Sequence, residues 1–88
     1  MPYITPNERE KFEPELEKLR DCIMVGISKG DMTYVFYSLS KKYIDVTGKS
    51  YTNISTVISS LIDAAEELRR RELNPYEDQK ITDNGDVN

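Results

Sequence analysis

Three consecutive arginines, Arg69, Arg70 and Arg71, are the side chains of this sequence whose chemistry suits the binding of a small anion. A guanidinium group is a planar fork of donors that can bind a phosphate or a carboxylate through two parallel hydrogen bonds. A second interpretation is purely structural. Glu66 and Glu67 each precede an arginine by four residues, which is the spacing of stabilising ion pairs on a helix, and cations complement a helix C-terminus. The sequence leaves both interpretations open.

Tyrosines extend the predicted anion site. We expect Arg70 and Arg71 to act together with Tyr34 and Tyr76, whose rings would supply stacking or hydrogen bonds to a phosphorylated ligand. At 100° per residue, Arg70 lies opposite the apolar face of its helix and Arg71 lies toward the flank, so the two guanidinium groups point in different directions. The two acids that follow Tyr76 are competing partners for either arginine.

Catalytic groups are scarce in this sequence. It has no histidine and one cysteine, Cys22, so no imidazole or thiolate cluster is available for zinc. Cys22 itself is predicted to be a small buried residue on a helix face. A magnesium site would have to use carboxylates, for which the pairs Glu13/Glu17 and Asp63/Glu67 have a suitable spacing, although such pairs are common on solvated helix faces. The sequence therefore predicts binding without catalysis, metal or cofactor.

Length and charge restrict the classes of protein to be considered. A chain of 88 residues forms one domain at most, and a domain of this size buries only about 60% of its unfolded surface, so self-association would add stability. The net charge is −4, most of it in the last residues, and no broad basic face is available for double-stranded nucleic acid. No apolar run reaches the roughly 20 residues of a membrane span, and the start does not resemble a signal peptide. We therefore expect a cytoplasmic protein.

Apolar residues recur at helical spacing in three segments, and no segment alternates as a strand would. The sequence predicts an all-α fold, with a compact three-helix domain over residues 1–74 and an extended C-terminal tail over residues 75–88. Each helix is expected to bury one apolar face: Leu16, Leu19, Ile23 and Ile27 in the first; Met32, Val35, Phe36, Leu39, Tyr43 and Val46 in the second; Tyr51, Ile54, Val57, Ile58, Leu61, Ala65 and Leu68 in the third.

Capping and breaking residues define the expected helix boundaries. The first main helix is predicted to restart at Pro14, after a short helical turn, and to end at Gly30. Asp31 is the predicted N-cap of the second helix. The third helix is predicted to begin near Ser50 and to stop at Asn74, because the residue before a proline disfavours the helical conformation.

The C-terminal segment contains apolar residues that a purely solvated acidic tail would not need. Tyr76, Ile81 and Val87 lie within residues 75–88, and fourteen residues span up to about 46 Å when extended. The sequence predicts that this tail packs on the domain or crosses onto a neighbouring subunit. A short, polar, terminal segment is also typical of disorder.

Two helix faces opposite the predicted core indicate self-association. In the second helix, Tyr34 and Tyr37 place aromatic rings where solvent is expected. In the third helix, the opposite face carries short side chains that would let two helix backbones approach closely: Thr52, Thr56 and Ser59, followed by Ser60 and Asp63. We call the first three of these the small-residue stripe, and we expect it to form, with Tyr37, an interface between copies of the chain. Exposed tyrosines and serines are also ordinary surface residues.

Short motifs are distributed along nearly the whole chain: Pro2-Tyr3-Ile4, Arg9, Glu13-Pro14, Gly30-Asp31, Tyr34-Val35, Arg70-Arg71, Pro75-Tyr76-Glu77-Asp78, Lys80 and Asn84-Gly85-Asp86-Val87. In type and order, they resemble the motifs of a family of small uncharacterised bacteriophage proteins. Arg69 departs from this pattern, since it stands where the family leads us to expect an aromatic residue, and the departure argues against a pocket role for Arg69.

The resemblance implies a bacteriophage origin and an infected bacterial host, and it implies little about chemistry. We weigh two functions. In the first, the protein is a homo-oligomer that sequesters a nucleotide-type messenger of host immunity, an anti-defence role for which a surface of arginines and aromatic rings between subunits is suited. In the second, it is an accessory or adaptor protein that binds a host or phage protein through the helix face of Tyr34 and Tyr37.

Overall fold

A computed structural model of the protein describes residues 3–87. The α-helices are α1 (Pro6–Arg9), α2 (Glu13–Asp21), α3 (Lys29–Thr47), α4 (Tyr51–Leu68) and α5 (Asn74–Asn84), and a π-helical turn, Arg69–Leu73, joins α4 to α5. The described part of the chain contains no strand, so the all-α prediction is confirmed. Pro2, the first residue of the family-like motifs, and Asn88, the end of the predicted tail, lie outside the described residues.

α2 is shorter than the sequence predicts. It begins at Glu13, with Pro14 in its first turn, and it ends at Asp21 rather than at Gly30. The chain then turns through Gly26, whose φ of 97° lies in the left-handed region that glycine adopts without steric cost. The apolar residues that were predicted for the C-terminal half of this helix therefore lie in a connecting loop.

α3 begins at a capping box made by Ser28 and Asp31. The Ser28 hydroxyl accepts a hydrogen bond from the Asp31 backbone N–H (3.0 Å), and the Asp31 carboxylate accepts one from the Ser28 backbone N–H (2.9 Å). This reciprocal pair satisfies two donors that a helix N-terminus leaves without an intrahelical partner. The prediction that Asp31 is the N-cap is wrong, because the serine three residues earlier takes that position.

α3 and α4 form a helical hairpin with a short connection. Gly48 ends α3 with a φ of 102°, and α4 begins near Ser50 as the sequence predicts, with the Ser50 hydroxyl as its cap, accepting from the Asn53 backbone N–H (3.1 Å). The Asn53 side-chain amide donates to the carbonyl groups of Thr47 (3.1 Å) and Gly48 (2.9 Å). These bonds tie the end of α3 to the first turn of α4.

The π turn carries the helix past Pro75. The Asn74 backbone N–H donates to the carbonyl of Arg69, five residues earlier, instead of four. Inside a regular α-helix, the ring of Pro75 would clash with the carbonyl four residues before it, and the wider π turn moves that carbonyl away. The prediction that the helix stops at Asn74 and that residues 75–88 form an extended tail is wrong, because α5 continues the same helical path.

The predicted compact three-helix core does not form within one chain. No residue among those described is buried, and side chains that were predicted for the core stay open to solvent, including Leu39 (58% exposed), Ile58 (50%) and Leu68 (62%). The radius of gyration is 16.8 Å, whereas a compact chain of this length has one of about 12 Å. A hairpin covers each of its helices on one side only, and α2, with nine residues, is too short to cover the other side.

Candidate functional site

The arginine cluster is organised by one carboxylate, that of Glu67. Arg70 contacts it twice, from Nη2 to Oε1 (2.5 Å) and from Nε to Oε2 (3.4 Å), and Arg71 Nε lies 3.6 Å from Oε1. The Glu67 side chain is 15% exposed, whereas those of Arg70 and Arg71 are 68% and 60% exposed. The interpretation as helical ion pairs holds for Arg71, while Arg70 pairs with Glu67 rather than with Glu66.

Tyr3, from the segment before α1, completes this arrangement. Its hydroxyl donates a 2.6 Å hydrogen bond to Oε1 of Glu67. Its ring faces the guanidinium of Arg71, with Cζ 5.5 Å from the ring centroid, which is within the range of a cation–π contact. We call Tyr3, Glu67, Arg70 and Arg71 the Glu67 cluster. It joins the N-terminal segment to the point where α4 enters the π turn.

The electrostatics of the Glu67 cluster favour the ionised carboxylate. The hydrogen bond from Arg70 lowers the pKa of Glu67 most, and the hydrogen bond from Tyr3 lowers it further. Partial desolvation raises the pKa of Glu67, and the positive charges of Arg70 and Arg71 lower it. In return, the carboxylate raises the pKa of Arg70. At neutral pH Glu67 is therefore ionised, and the two arginines of the cluster are already paired with an anion of their own chain.

The structure does not bring the predicted tyrosines to these arginines. Tyr34 is 73% exposed on α3, and Tyr76 is 60% exposed on α5, where Lys80 Nζ lies 5.5 Å from its ring centroid. Within the described residues, no hydrogen bond or cation–π contact joins either tyrosine to the arginine cluster. The aromatic partner is Tyr3, which no local sequence pattern predicts, because 64 residues separate it from Glu67. Its place in the Pro-Tyr-Ile motif is the one signal that pointed to it.

Arg69 differs from the two arginines that follow it. No acid within residues 3–87 makes an ion pair with Arg69, and neither of the two acids after Tyr76 pairs with any of the three arginines. Arg69 lies at the start of the π turn and lines a groove of about 460 Å³, which we call the π-turn groove, together with Asp63, Glu66, Glu67, Arg70 and Asn74. Guanidinium and amide donors face the same space as carboxylate acceptors. Such a groove offers partners to a ligand that is itself both donor and acceptor.

The small-residue stripe lies on one face of α4. Thr52, Thr56 and Ser59 line a shallow groove of about 440 Å³. The Thr56 hydroxyl donates to the Thr52 carbonyl (2.8 Å), and the Ser60 hydroxyl donates to the Thr56 carbonyl (3.0 Å). The Thr56 and Ser60 hydroxyl groups thus turn back onto their own helix and have their donors paired there.

A second and larger surface is an apolar groove of about 570 Å³ between α3 and α4, which we call the hairpin groove. Its lining includes Phe36, Tyr37 and Ile44 from α3 and Ile58, Leu61 and Leu68 from α4. Tyr37 belongs to this groove, whereas the small-residue stripe lies on the opposite side of α4, about 180° away around the helix axis. The predicted interface residues are thus divided between two surfaces.

The other side chains that could bind a metal or act as nucleophiles contact neighbouring residues of their own helix. Cys22 is exposed at the end of α2, not buried as predicted, and its thiol contacts the Lys18 carbonyl at 3.5 Å. The carboxylates of Glu13 and Glu17 both contact Arg20, at 2.9 and 3.5 Å. Across residues 3–87, no three histidine, cysteine or acidic side chains are grouped so that they could hold a metal ion. Nor does any helix in that range combine the length and apolarity that crossing a bilayer requires.

The fold and the site define a small all-α protein that is built on a helical hairpin and carries its charged cluster at a π turn. The chain belongs to the family described as Domain of unknown function (DUF6899), whose model matches residues 1–87. No curated protein and no solved structure matches it. The family match covers the same stretch as the motifs noted in the sequence, and the bacteriophage origin stays a prediction.

Proposed function

We propose that the chain is the subunit of a homo-oligomeric binding protein of bacteriophage, which acts without catalysis in the cytoplasm of the infected bacterium. One observation carries the proposal. The single chain exposes 7829 Å², whereas a compact protein of 10.2 kDa exposes about 5300 Å². The excess of about 2500 Å² lies at the upper end of what obligate interfaces bury per subunit.

Sedimentation at micromolar concentration tests the assembly. An obligate subunit with this much open apolar surface is expected to sediment as a dimer or a larger species across the concentration range. Helical content and oligomer should then be lost together on dilution or denaturation, since none of residues 3–87 is buried within the single chain. A folded monomer of 10.2 kDa at these concentrations contradicts the proposal.

The proposed ligand is a phosphorylated nucleotide, a messenger of host immunity that the oligomer sequesters. The composition of the π-turn groove supports this choice, because a nucleotide carries phosphate acceptors for guanidinium groups and base amino donors for carboxylates. Arg70 is held by Glu67, so Arg69 is the guanidinium that a phosphate would reach first. The proposal thus moves the centre of the site from Arg70 and Arg71 to Arg69.

A thermal-shift screen against mono-, di- and cyclic nucleotides tests the ligand. A binding nucleotide should raise the melting temperature, and the rise should diminish with added salt because charge pairing contributes to it. Arg69→Ala should abolish the rise. Arg71→Ala is the matched control, because Arg71 lies outside the lining of the π-turn groove and should retain the response. If no nucleotide raises the melting temperature, the proposed nucleotide ligand is rejected, whereas the proposed homo-oligomer is unaffected.

The exposure of two tyrosines favours a second function, that of an adaptor for a host or phage protein. Tyr34 and Tyr37 are 73% and 67% exposed, one helical turn apart on α3, and tyrosine is enriched at protein interfaces. Affinity capture from infected cells tests this alternative. A specific partner that is lost with Tyr34→Ser and retained with Tyr76→Ser, while neither variant changes the oligomer, would favour the adaptor over nucleotide sequestration.

A further inference from the structure

We infer that two copies of this chain pack their α3–α4 hairpins face to face through the hairpin groove, so that the four helices form a bundle. The inference rests on the proposed homo-oligomer and names the surface that builds it. The occupant of the groove is a second copy of the same groove, which makes the interface isologous.

The dimensions of the hairpin suit this arrangement. α3 has 19 residues and α4 has 18, so both helices are about 28 Å long and their ends coincide. Two helices that are joined by a short turn cover each other on one side and leave one common apolar side open. A second hairpin laid on that side completes a four-helix bundle, in which every helix has two neighbours.

The open side is apolar over the length of α4. Ile58, Leu61 and Leu68 are 50%, 39% and 62% exposed, and Phe36 on α3, at 46%, lies across the groove from them. A contiguous apolar surface of this kind is typical of a protein–protein interface and is uncommon on a soluble monomer. The excess exposed area of about 2500 Å² per chain provides enough surface for an obligate interface.

The polar groups in the groove do not oppose its burial. The Thr33 hydroxyl donates to the Lys29 carbonyl (2.9 Å) and the Ser40 hydroxyl donates to the Phe36 carbonyl (2.7 Å), so neither is left unpaired when water is excluded. The one charged side chain of the lining, Lys41, is neutralised by Asp45 at 2.7 Å. These two hydroxyl groups and the Lys41 charge therefore keep partners within their own chain when two copies of the groove meet.

Among the described residues, only those of α3 and α4 line this groove. No residue of α2 or α5 is part of the lining, and α5 continues directly from the π turn. The small-residue stripe cannot replace the groove as the site of apolar burial, because each of its side chains carries a hydroxyl group and only the two threonines add a methyl group. A second copy is the partner that this sequence itself supplies, with the same length and the same apolar face.

Cysteine crosslinking tests the surface. Leu61 lies midway along the groove side of α4, so a two-fold axis through the groove brings its two copies close together. In a Cys22→Ser background, Leu61→Cys should give a crosslinked dimer with a short flexible bis-maleimide, at least tenfold more than Ser59→Cys. Ser59 is the matched control because it lies on the opposite side of the same helix.

A charge scan provides the second measurement. Ile58→Lys should convert the oligomer to smaller species by sedimentation, whereas Ser59→Lys should leave it assembled. If the Ile58→Lys variant unfolds instead, the crosslinking of the Leu61→Cys variant shows whether the hairpin groove is the interface, because the cysteine adds no charge to the groove. An oligomer that crosslinks through Ser59→Cys and not through Leu61→Cys overturns the inference and leaves the proposed function standing. A monomeric wild-type protein overturns both.

Discussion

The hydroxyl of Tyr3 donates a 2.6 Å hydrogen bond to Oε1 of Glu67, which lies 64 residues further along the chain. The same carboxylate binds Arg70 and Arg71, the last of which also faces the Tyr3 ring. The N-terminal segment is thus attached to the turn of helix that immediately precedes the change from α to π geometry. Because Glu67 already pairs with Arg70 and Arg71, a ligand would have to compete with this carboxylate for either guanidinium group.

Tyr3→Phe should release the N-terminal segment. The change removes one hydrogen bond to a charged acceptor and keeps the ring beside Arg71, so we expect trypsin to cleave at Arg9 about tenfold faster or more, because a net hydrogen bond to a charged group contributes about 1.5–3 kcal/mol. Tyr76→Phe is the control, because the Tyr76 hydroxyl makes no hydrogen bond within the described residues. Equal cleavage rates for Tyr3→Phe and the wild type would show that the bond does not hold the segment.

The Glu67 cluster should lose its stabilising effect only in acid. Because Arg70 and Tyr3 lower the pKa of Glu67 in the folded protein, the contribution is complete above the ordinary glutamate pKa of about 4.3. It is lost as the pH falls through the lowered folded value. Carboxyl carbon NMR should show Glu67 titrating below the ordinary range, and Tyr3→Phe should move it upward. A titration of Glu67 at or above the ordinary value would contradict the geometry of the cluster.

The capping box of α3 should make stability depend on the ionised form of Asp31. Hydrogen bonds from the Ser28 backbone and then from its side chain lower the pKa of Asp31. The stabilisation is present above the ordinary aspartate pKa, about 3.9, and is lost as the pH falls through the lowered value. We expect Asp31→Asn to lower the melting temperature at pH 7, and the difference from the wild type to shrink toward pH 3.

Ser28→Ala removes the other half of the capping box. The loss of an N-cap serine costs about 0.5–2 kcal/mol, which lowers the melting temperature of a domain this size by several degrees. Ser38→Ala, in the middle of α3, is the control and should have little effect, because alanine is a good helix former. If both serine variants melt alike, the reciprocal hydrogen bonds at Ser28 do not stabilise α3.

Deletion of residues 75–88 should weaken the oligomer. Tyr76 and Ile81 are 60% and 46% exposed on α5, and the burial of even one such side chain against a neighbouring subunit contributes about 1.5–3 kcal/mol. We expect a melting temperature lower by several degrees and a shift toward smaller species in sedimentation. The control is deletion of residues 85–88, beyond the end of α5, which should change neither. If deletion of residues 75–88 changed neither the melting temperature nor the sedimentation, α5 would be a solvated appendage.

Local chemistry allowed several features to be predicted from the sequence alone. Helical periodicity predicts the all-α class, and the serine at position 50 predicts the start of α4, because N-capping involves only residues within one turn of each other. The capping box at Ser28 follows the same rule, since Ser28 and Asp31 are three residues apart, and both residue types are common N-caps. The ion pair of Glu67 with Arg71 also follows from spacing along one helix.

Tertiary structure alone decided the rest. A proline inside a regular α-helix predicts that the helix breaks. The π turn that precedes Pro75 accommodates this proline instead, and no sequence pattern predicts that turn. The pairing of Tyr3 with Glu67 depends on the path of the chain between them, which no local pattern encodes. Apolar periodicity shows which face of a helix avoids water, but it does not show whether that face is covered by the same chain. In this protein the hairpin leaves that face open, because each of its helices covers the other on one side only and α2, with nine residues, is too short to cover the rest.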